Sequence, residues 1–416
     1  MKRGIAMSNE NNLSCGIAAH REKLKKENDG QVKLDDNLAE YFAHQVGVKP
    51  RGKETVSEQD ERGAFVRQPN YFTAPITEED AKNNKYVIYW APLCNWSNRP
   101  VIVRDLLGLH DVIGDYKVSH VGESNKYGWG FGNEPDYKDP NTGVYFLSQF
   151  YLNADKNYTG RATTPTFVNV KEKKAVSSDY HRLTNYLEVA FRALQPNDAP
   201  DLYPVKYRDV IDDFNDWLFP HVNNGHYRQA FTNVPEIYDE SQADFHNSLE
   251  KLEKRLGENR FLFGDYITDS DVRLYVTLIK WETDFYVNVG PQKKRISEYK
   301  NLWEYVKELY NIPAFKRYTN LPKPTTKQKG ERFTYLDKIS TRNFDEWLKS
   351  DGSRAKLSSD PNNLFLYHKD NESVSDYQSK ISQSKWNSKD QSVRADWHYE
   401  LKTDPSINPL KGLLKN

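Results

Sequence analysis

Cysteine is nearly absent from this sequence: only Cys15 and Cys94 occur in 416 residues. Two cysteines cannot build a disulfide framework or a four-ligand zinc site based on thiolates. No stretch approaches the ~18 consecutive apolar residues that a membrane-spanning helix needs. The start of the chain, MKRGIAMSNENN, has a basic pair but no apolar segment typical of a secretion signal. We therefore expect a cytoplasmic protein with no membrane partner.

An excess of charge of either sign is also lacking. Lys and Arg number 59, as do Asp and Glu, so the formal net charge is zero. A nucleic-acid-binding protein usually carries a basic excess, and we expect no nucleic-acid partner. His221 and His226 flank the turn HVNNGH without acidic or cysteine partners at ligand spacing, so no metal site is predicted. Phosphate-binding glycine loops and the motifs G-x-S-x-G and H-E-x-x-H are absent.

The order of predicted elements indicates an α/β region followed by an all-helical one. Strands are predicted in KYVIYW (85–90), DYKVSHV (115–121), TPTFVNV (164–170) and KAVSS (174–178). PVIVRDLLGL (100–109) predicts a helix with Pro100 in its first turn, and Asp179 is a candidate helix cap. From about residue 203 apolar residues recur at helical spacing, and Thr268 with Asp271 predicts a capping box.

Composition and pattern divide the chain into five segments. We predict a polar N-terminal extension at 1–60, an α/β domain at 61–198, an all-helical domain at 199–320, a polar insertion or extension at 321–395 and a C-terminal tail at 396–416.

Cys94 is the sharpest candidate for chemistry. It follows the first predicted strand and precedes the predicted helix, whose unpaired amides and positive dipole end stabilise a thiolate. The neighbouring Arg99 adds positive charge. A buried, inert cysteine is the alternative, because free cysteines are among the most buried residues. Cys15, in the polar extension, is interpreted as incidental, with a resolving thiol as the alternative.

A proline opens the third predicted strand. Pro165 must lie where the sheet needs no backbone donor, and a cis bond there would turn a backbone edge towards a ligand. An ordinary edge-strand proline is the alternative. Trp129 lies in the glycine-rich loop YGWGFG, whose spacing is not that of a nucleotide site. Tyr227 and Tyr286 lie in the helical half, and such tyrosines, taken singly, are more often core or surface residues than catalytic ones.

Six stretches in chain order resemble a known family. They are FVRQPNYFT (65–73), LCNWSNRPVIVRDLLGL (93–109), GWGF (128–131), NYTGRATTPTF (157–167), NNGHYRQAF (223–231) and LFGDYITDSDVRLYVTLI (262–279). Together they resemble the Xi class of glutathione transferases, the glutathionyl-hydroquinone reductases, over roughly residues 60 to 320. DPSINPLKG (404–412) is similar to that family's C-terminal tail. The resemblance implies a thioredoxin-like N-terminal domain that binds glutathione and an all-α C-terminal domain, which is the glutathione transferase fold.

The resemblance also implies roles for single residues. Cys94 would be the nucleophile, and Tyr227 and Tyr286 would line the acceptor site, the second by a looser match. Glutathione would contact Trp129, Thr164, Pro165, Asp179 and Tyr180. In that set Thr164 offers backbone hydrogen bonds beside a cis Pro165. Asp179 and Tyr180 stand where the family has a Glu-Ser pair that holds the γ-glutamyl group.

This sequence departs from the family at the nucleophile loop. The usual Cys-Pro-Trp-Ala-His-Arg has Asn95 for proline, Ser97 for alanine and Asn98 for histidine. Loss of the proline removes a rigid constraint after the thiol. Tyr180 changes the size of the γ-glutamyl pocket, and the family's His-Phe-Lys-Cys-Asn stretch is absent after Tyr286. These differences bear on the substrate rather than on the fold.

The leading hypothesis is reductive removal of glutathione from a quinol or aryl thioether, with glutathione as co-substrate and no metal. A homodimer is expected from the wider fold. One alternative is a conjugating transferase, with Ser97 activating the thiol of glutathione. Another is a non-catalytic interaction protein, motivated by the altered cysteine loop and the long polar segments.

Overall fold

The computed structural model describes residues 36–50, 59–65, 67–68, 70–122, 125–132, 134, 136–287, 289, 293–322, 338–367, 401 and 408–412. Cys15 lies outside the described residues, as does most of the segment 321–395. The chain forms two compact units. Residues up to 55 together with 117–163 and 170–175 belong to the first unit, and 56–116, 164–169 and 176 onwards belong to the second.

The helices are α1 (Asp36–Val46), α2 (Glu78–Asn83), α3 (Asn95–Leu106), α4 (Leu147–Ala154), α5 (Leu183–Val189), α6 (Arg208–Leu218), α7 (Gly225–Ala230), α8 (Pro235–Glu258), α9 (Asp269–Thr283), α10 (Lys300–Tyr310), α11 (Pro313–Tyr318) and α12 (Phe344–Trp347). The strands are β1 (Tyr86–Trp90), β2 (Ile113–Lys117), β3 (Ser119–His120), β4 (Trp129–Gly130), β5 (Thr166–Asn169) and β6 (Lys174–Ser177). A π-helix covers Phe219–Asn223, and 3₁₀ turns cover Arg192–Leu194, Val205–Tyr207, Phe285–Val287, Ile296–Glu298 and Ser353–Leu357.

The first unit is held together by aromatic packing on α1. This helix buries Ala39, Phe42 and Ala43, and the ring of Phe42 stacks on Tyr145 with centroids 4.4 Å apart. Strands β3 and β4 pair antiparallel, with His120 opposite Trp129. Helix α1 folds because its apolar face finds a partner.

A four-stranded sheet, most of whose residues belong to the second unit, has the order β2-β1-β5-β6. All five residues of β1 are buried, as its apolar and β-branched sequence predicts for a strand covered on both faces. β1 pairs antiparallel with β5, so that Tyr86 lies opposite Asn169 and Tyr89 opposite Thr166. This register places the start of β5, and Pro165 before it, beside the end of β1 that leads to Cys94.

Helix α3 begins earlier than predicted. It starts at Asn95 rather than Pro100, and Pro100 lies inside the helix. The prediction failed because the carbonyl of Cys94 already accepts hydrogen bonds from the amides of Ser97 and Asn98, at 3.1 and 3.2 Å. At the other end the helix stops at a Schellman motif. Gly108 adopts φ +65° there, and the amide of Leu109 donates to the carbonyl of Arg104 at 2.9 Å.

The helical region is organised around α9, of which every residue is buried. Its predicted capping box is confirmed: the side chain of Thr268 caps the amide of Asp271, and the Asp271 carboxylate accepts the Thr268 amide at 2.8 Å. Inside the helix, Arg273 pairs with Asp269 at 2.5 Å, and both are buried. Helix α9 packs along α3, so the position of the cysteine loop is fixed by the core of the helical region.

Residues beyond 340 return to the helical region. Leu348 is fully buried, and Arg354 donates to the backbone carbonyls of Leu256, Asn259 and Arg260 at 2.5 to 2.9 Å. Further on, the amide of Leu410 donates to the Phe263 carbonyl at 2.9 Å. The five predicted segment boundaries stay predictions.

Across the described ranges, no helix has the length and apolar character needed to cross a membrane. In the same part of the chain, no group of three or more His, Cys, Asp or Glu side chains is placed to hold a metal ion.

Replacing Arg354 with methionine should destabilise the protein. The change leaves three buried carbonyls without their charged donor, and we expect a loss of about 3 kcal/mol in the free energy of unfolding. Urea unfolding followed by circular dichroism measures it. The matched control is Arg342→Met, since Arg342 is exposed and rests on the ring of Trp347. This control should cost less than about 0.5 kcal/mol, and equal losses in both variants would contradict the assignment.

Candidate active site

Cys94 occupies the N-cap position of α3. Its backbone is extended, with φ −93° and ψ 104°, and its side chain makes no capping bond. The residue is 8% exposed, and Sγ lies 3.6 Å from the carbonyl oxygen of Thr164. The peptide bond between Thr164 and Pro165 is cis. The structure therefore brings together Cys94, Thr164 and Pro165, and the sulfur keeps a narrow exposure to solvent.

Ser97 fixes the loop that carries the thiol. Its hydroxyl lies 2.9 Å from the carbonyl oxygens of both Ala91 and Cys94, and it accepts the amide of Ala91 at 3.1 Å. These contacts tie the end of β1 to the first turn of α3. A hydroxyl engaged in this way holds the backbone and is poorly placed to activate a thiol of glutathione.

Two buried cations, Arg99 and Lys280, interact electrostatically with the nucleophile. Burial and the neighbouring Arg273 lower the pKa of Arg99, while negative charge on Asp269, Cys94 and Asp179 raises it. Burial lowers the pKa of Lys280 to about 8, against the raising influence of Asp284 and Cys94. Negative charge on the sulfur of Cys94 therefore favours the charged form of both cations.

Lys280 was missed by the sequence analysis. It lies in α9, and its Nζ donates to the carbonyl of Asn320 at 3.1 Å. The only signal in the sequence is a lysine inside the otherwise apolar run VTLIKW. That signal does not say which neighbours the side chain meets, because those come from α3 and from the segment after α11.

Asp179 and Tyr180 lie at the start of α5. The Asp179 carboxylate accepts the amides of His181 and Arg182 at 3.0 and 3.2 Å, and the side chain of Asn70 at 3.0 Å. Asp179 thus caps the turn that leads into α5, whereas the N-cap position of α5 itself is Arg182, which makes no side-chain capping bond. Arg99 donates to the carbonyl of Tyr180. The contacts of this pair with glutathione stay a prediction.

Trp129 belongs to the first unit. It lies in β4, and its ring stacks on His120 with centroids 4.1 Å apart. Its contact with glutathione stays a prediction.

Trp96 is the centre of an aromatic cluster next to the cysteine loop. Its ring centroid lies 4.6 Å from Tyr180, 5.1 Å from Phe219 and 5.3 Å from Tyr227. The guanidinium carbon of Arg67 stands 3.8 Å above the same ring. This arrangement forms a largely buried aromatic cluster with a guanidinium on the face of its central ring.

Tyr227 is linked directly to the cysteine loop. Its hydroxyl donates to Oδ1 of Asn95 at 3.0 Å, and Nδ2 of Asn95 lies 3.4 Å from Oγ1 of Thr277. Burial raises the pKa of Tyr227 far above its ordinary value, and negative charge on Cys94 raises it further. The phenol thus stays protonated at neutral pH and lies within electrostatic reach of the thiol.

Phe285, in the segment after α9, packs against Tyr227. Its centroid lies 6.1 Å from Tyr227 and 4.4 Å from His226. Tyr286 instead packs edge-on to Trp281 at 6.3 Å and lies under the guanidinium of Arg295. Phe285 thus lies beside Tyr227, the predicted acceptor residue, and the sequence did not suggest this contact. The role of Tyr286 stays a prediction.

Comparison with known proteins identifies the family. Residues 235–308 match the family model described as "Glutathione S-transferase, C-terminal domain". The glutathionyl-hydroquinone reductase YqjG of Escherichia coli is 34% identical over 243 residues, which are 58% of this chain and 73% of that protein. The chain belongs to the Xi class of glutathione transferases. The family inferred from the six motifs is therefore confirmed.

Solved structures agree with this assignment and confirm the predicted fold. The Xi glutathione transferase of Phanerochaete chrysosporium superposes with a TM-score of 0.59 at 29% identity, over 67% of this chain and 88% of that one. The glutathione-bound structure of YqjG from Escherichia coli gives a TM-score of 0.53 at 31% identity, over 63% and 80% of the two chains.

Removing the charge of Lys280 should make Cys94 less reactive. In a Cys15→Ser background, Lys280→Met removes a buried cation that interacts with negative charge on Cys94, so alkylation by iodoacetamide at pH 7 should slow by about 3- to 10-fold. The rate is read by intact mass. The matched control is Lys316→Met, since Lys316 is paired with Asp345 at the surface. An unchanged rate in Lys280→Met would show that this lysine has no influence on the thiol.

Proposed function

We propose that this chain is a glutathione-dependent reductase that removes glutathione from glutathionyl-hydroquinones through a mixed disulfide on Cys94. The observation that carries the proposal is the position of the thiol. It caps α3, faces the Thr164 carbonyl at 3.6 Å and has two buried cations within electrostatic reach. The family membership and the name of the relative YqjG supply the substrate class.

The reaction has two exchange steps at sulfur. In the first, the Cys94 thiolate attacks the sulfur of the substrate, a Cys94–glutathione disulfide forms, and the carbon–sulfur bond breaks. The ring carbon that bears sulfur takes a proton, the electron pair of the broken bond restores the aromatic ring, and the hydroquinone leaves. In the second, a thiolate of free glutathione attacks the mixed disulfide, releasing oxidised glutathione and Cys94. The ring carbon is reduced by two electrons, which the two thiols supply.

We assign the glutathione of the substrate to the backbone of Thr164 beside Pro165 and to Asp179 with Tyr180, while the contact of Trp129 with glutathione stays the expectation drawn from the family resemblance. Thr164 is supported by its position, since its carbonyl already lies against the sulfur of Cys94. A strand edge next to the nucleophile is suited to binding the cysteinyl part of a peptide ligand through backbone hydrogen bonds.

We assign the proton of the reaction to Tyr227, with Tyr286 as the second tyrosine of the acceptor site. A protonated phenol beside the nucleophile can donate to the ring carbon or to the oxygen of the hydroquinone. Tyr227 meets this requirement because burial keeps it neutral and its ring lies against Trp96 at 5.3 Å.

The rival proposal of ordinary conjugation is disfavoured by the contacts of Ser97. A conjugating transferase needs a hydroxyl near the incoming thiol, and that of Ser97 is engaged with the Ala91 and Cys94 carbonyls. A homodimer and a cytoplasmic location complete the proposal, the first from the wider fold and the second from the composition.

Cys94→Ser should abolish the reaction. With glutathionyl-hydroquinone and reduced glutathione, we expect turnover to fall by about 1,000-fold or more, because the nucleophile is lost. Release of hydroquinone is followed by chromatography. Incubation with oxidised glutathione should give a single glutathione adduct by intact mass on the wild type, none at this position in Cys94→Ser, and reversal by reduced glutathione. Cys15→Ser is the matched control and should behave as the wild type; turnover retained in Cys94→Ser would refute the scheme.

A further inference from the structure

Arg67 places a positive charge on the aromatic cluster next to Cys94. Its guanidinium carbon lies 3.8 Å from the ring centroid of Trp96, 5.2 Å from that of Tyr180 and 5.8 Å from that of Tyr227. The side chain is half-buried. The faces of aromatic rings attract a cation in this position. The N–H donors at the edge of the guanidinium remain able to donate hydrogen bonds to another group.

No carboxylate of the described residues forms an ion pair with Arg67. Arg62, five positions earlier on the same segment, pairs with Glu240 at 3.0 Å and is largely exposed. The guanidinium of Arg67 is therefore half-buried and has no carboxylate partner among the described residues. Such a group can bind an anion that arrives with the substrate.

Arg67 and Cys94 both influence the pKa of the Tyr227 phenol. Positive charge on Arg67 lowers the pKa of Tyr227, against the larger raising effects of burial and of Cys94. Both charges therefore act on Tyr227, and the ring under Arg67 is that of Trp96, two positions after the nucleophile. An aromatic acceptor that meets Tyr227 and Cys94 also meets this guanidinium.

The chemistry of the proposed reaction creates an anion at the acceptor. Once the ring carbon that bears sulfur has taken a proton, the ring holds a carbonyl group in place of one hydroxyl. Attack by the Cys94 thiolate on sulfur then breaks the carbon–sulfur bond. The electron pair of the broken bond restores the aromatic ring. Negative charge then develops on the oxygen of the former ring carbonyl. A fixed cation at this oxygen lowers the barrier, as donors in an oxyanion hole do.

We propose that Arg67 binds the ring oxygen on which negative charge develops as the carbon–sulfur bond of the substrate breaks. This inference rests on the proposed function. It narrows the substrate class to aryl thioethers of glutathione with a hydroxyl ortho or para to sulfur, because only these can place the charge on oxygen. Arg67 is then a catalytic residue that contacts the reacting ring.

The test compares wild type, Arg67→Met and Arg67→Lys on glutathione conjugates of hydroquinones with increasing chlorination, which makes the ring hydroxyl more acidic. For the least acidic ring, kcat of Arg67→Met should fall by about 100-fold. The loss should shrink towards the most acidic ring, whose oxyanion needs less help, and Arg67→Lys should regain part of the rate. Arg62→Met is the matched control and should follow the wild type across the series. A loss in Arg67→Met that is uniform across the series would overturn the proposal.

A second measurement separates this inference from the proposed function. Formation of the Cys94 adduct from oxidised glutathione involves no aromatic ring, so Arg67→Met should form it at the wild-type rate. If wild type forms the adduct yet releases no hydroquinone from any conjugate, the proposed function fails. If wild type turns the conjugates over and Arg67→Met does so equally well, only the role of Arg67 fails. Loss of the adduct in Arg67→Met would point to a folding role and would also count against it.

Discussion

The site depends on the place where helix α3 begins. The carbonyl of Cys94 accepts the amides of Ser97 and Asn98, and the hydroxyl of Ser97 ties the same turn back to Ala91 just after β1. Because the first ten residues of α3 are buried between the sheet and α9, its start cannot move without unpacking both. The sulfur is therefore held at the amide end of a rigid helix, where a thiolate is stabilised and the cis peptide of Pro165 is its neighbour.

The helical region contributes charge to the site as well as packing. Arg99 and Lys280 are buried, and such cations are costly unless backbone carbonyls or anions compensate them. Arg99 has the carbonyl of Tyr180, and Lys280 has that of Asn320 at 3.1 Å. Negative charge on the sulfur of Cys94 also favours the charged form of both side chains, so the nucleophile and the two cations are electrostatically linked.

Local patterns were enough to predict β1, the β5–β6 hairpin, the amphipathic helices and the capping box at Thr268, because each depends on neighbours in the sequence. The start of α3 was misplaced because proline is common in the first turn of a helix, whereas here Cys94 and Ser97 begin the helix before it. Arg67, Lys280 and Phe285 escaped prediction for a different reason. Their importance comes from contacts with distant segments, which no spacing along the chain encodes.

Asn95 gives this chain a connection that a proline at the same position cannot make. Its side chain accepts the hydroxyl of Tyr227 at 3.0 Å, while Asn223 donates to Thr277 at 2.8 Å and Trp96 donates to the Asn223 carbonyl at 3.2 Å. With Asn95 lying 3.4 Å from Thr277, these bonds join the cysteine loop to α7 and α9 in one network. The Tyr227 proton points to Asn95 before substrate arrives. A bound hydroquinone must therefore compete for that proton, and it does so best once its oxygen carries the negative charge that Arg67 would stabilise.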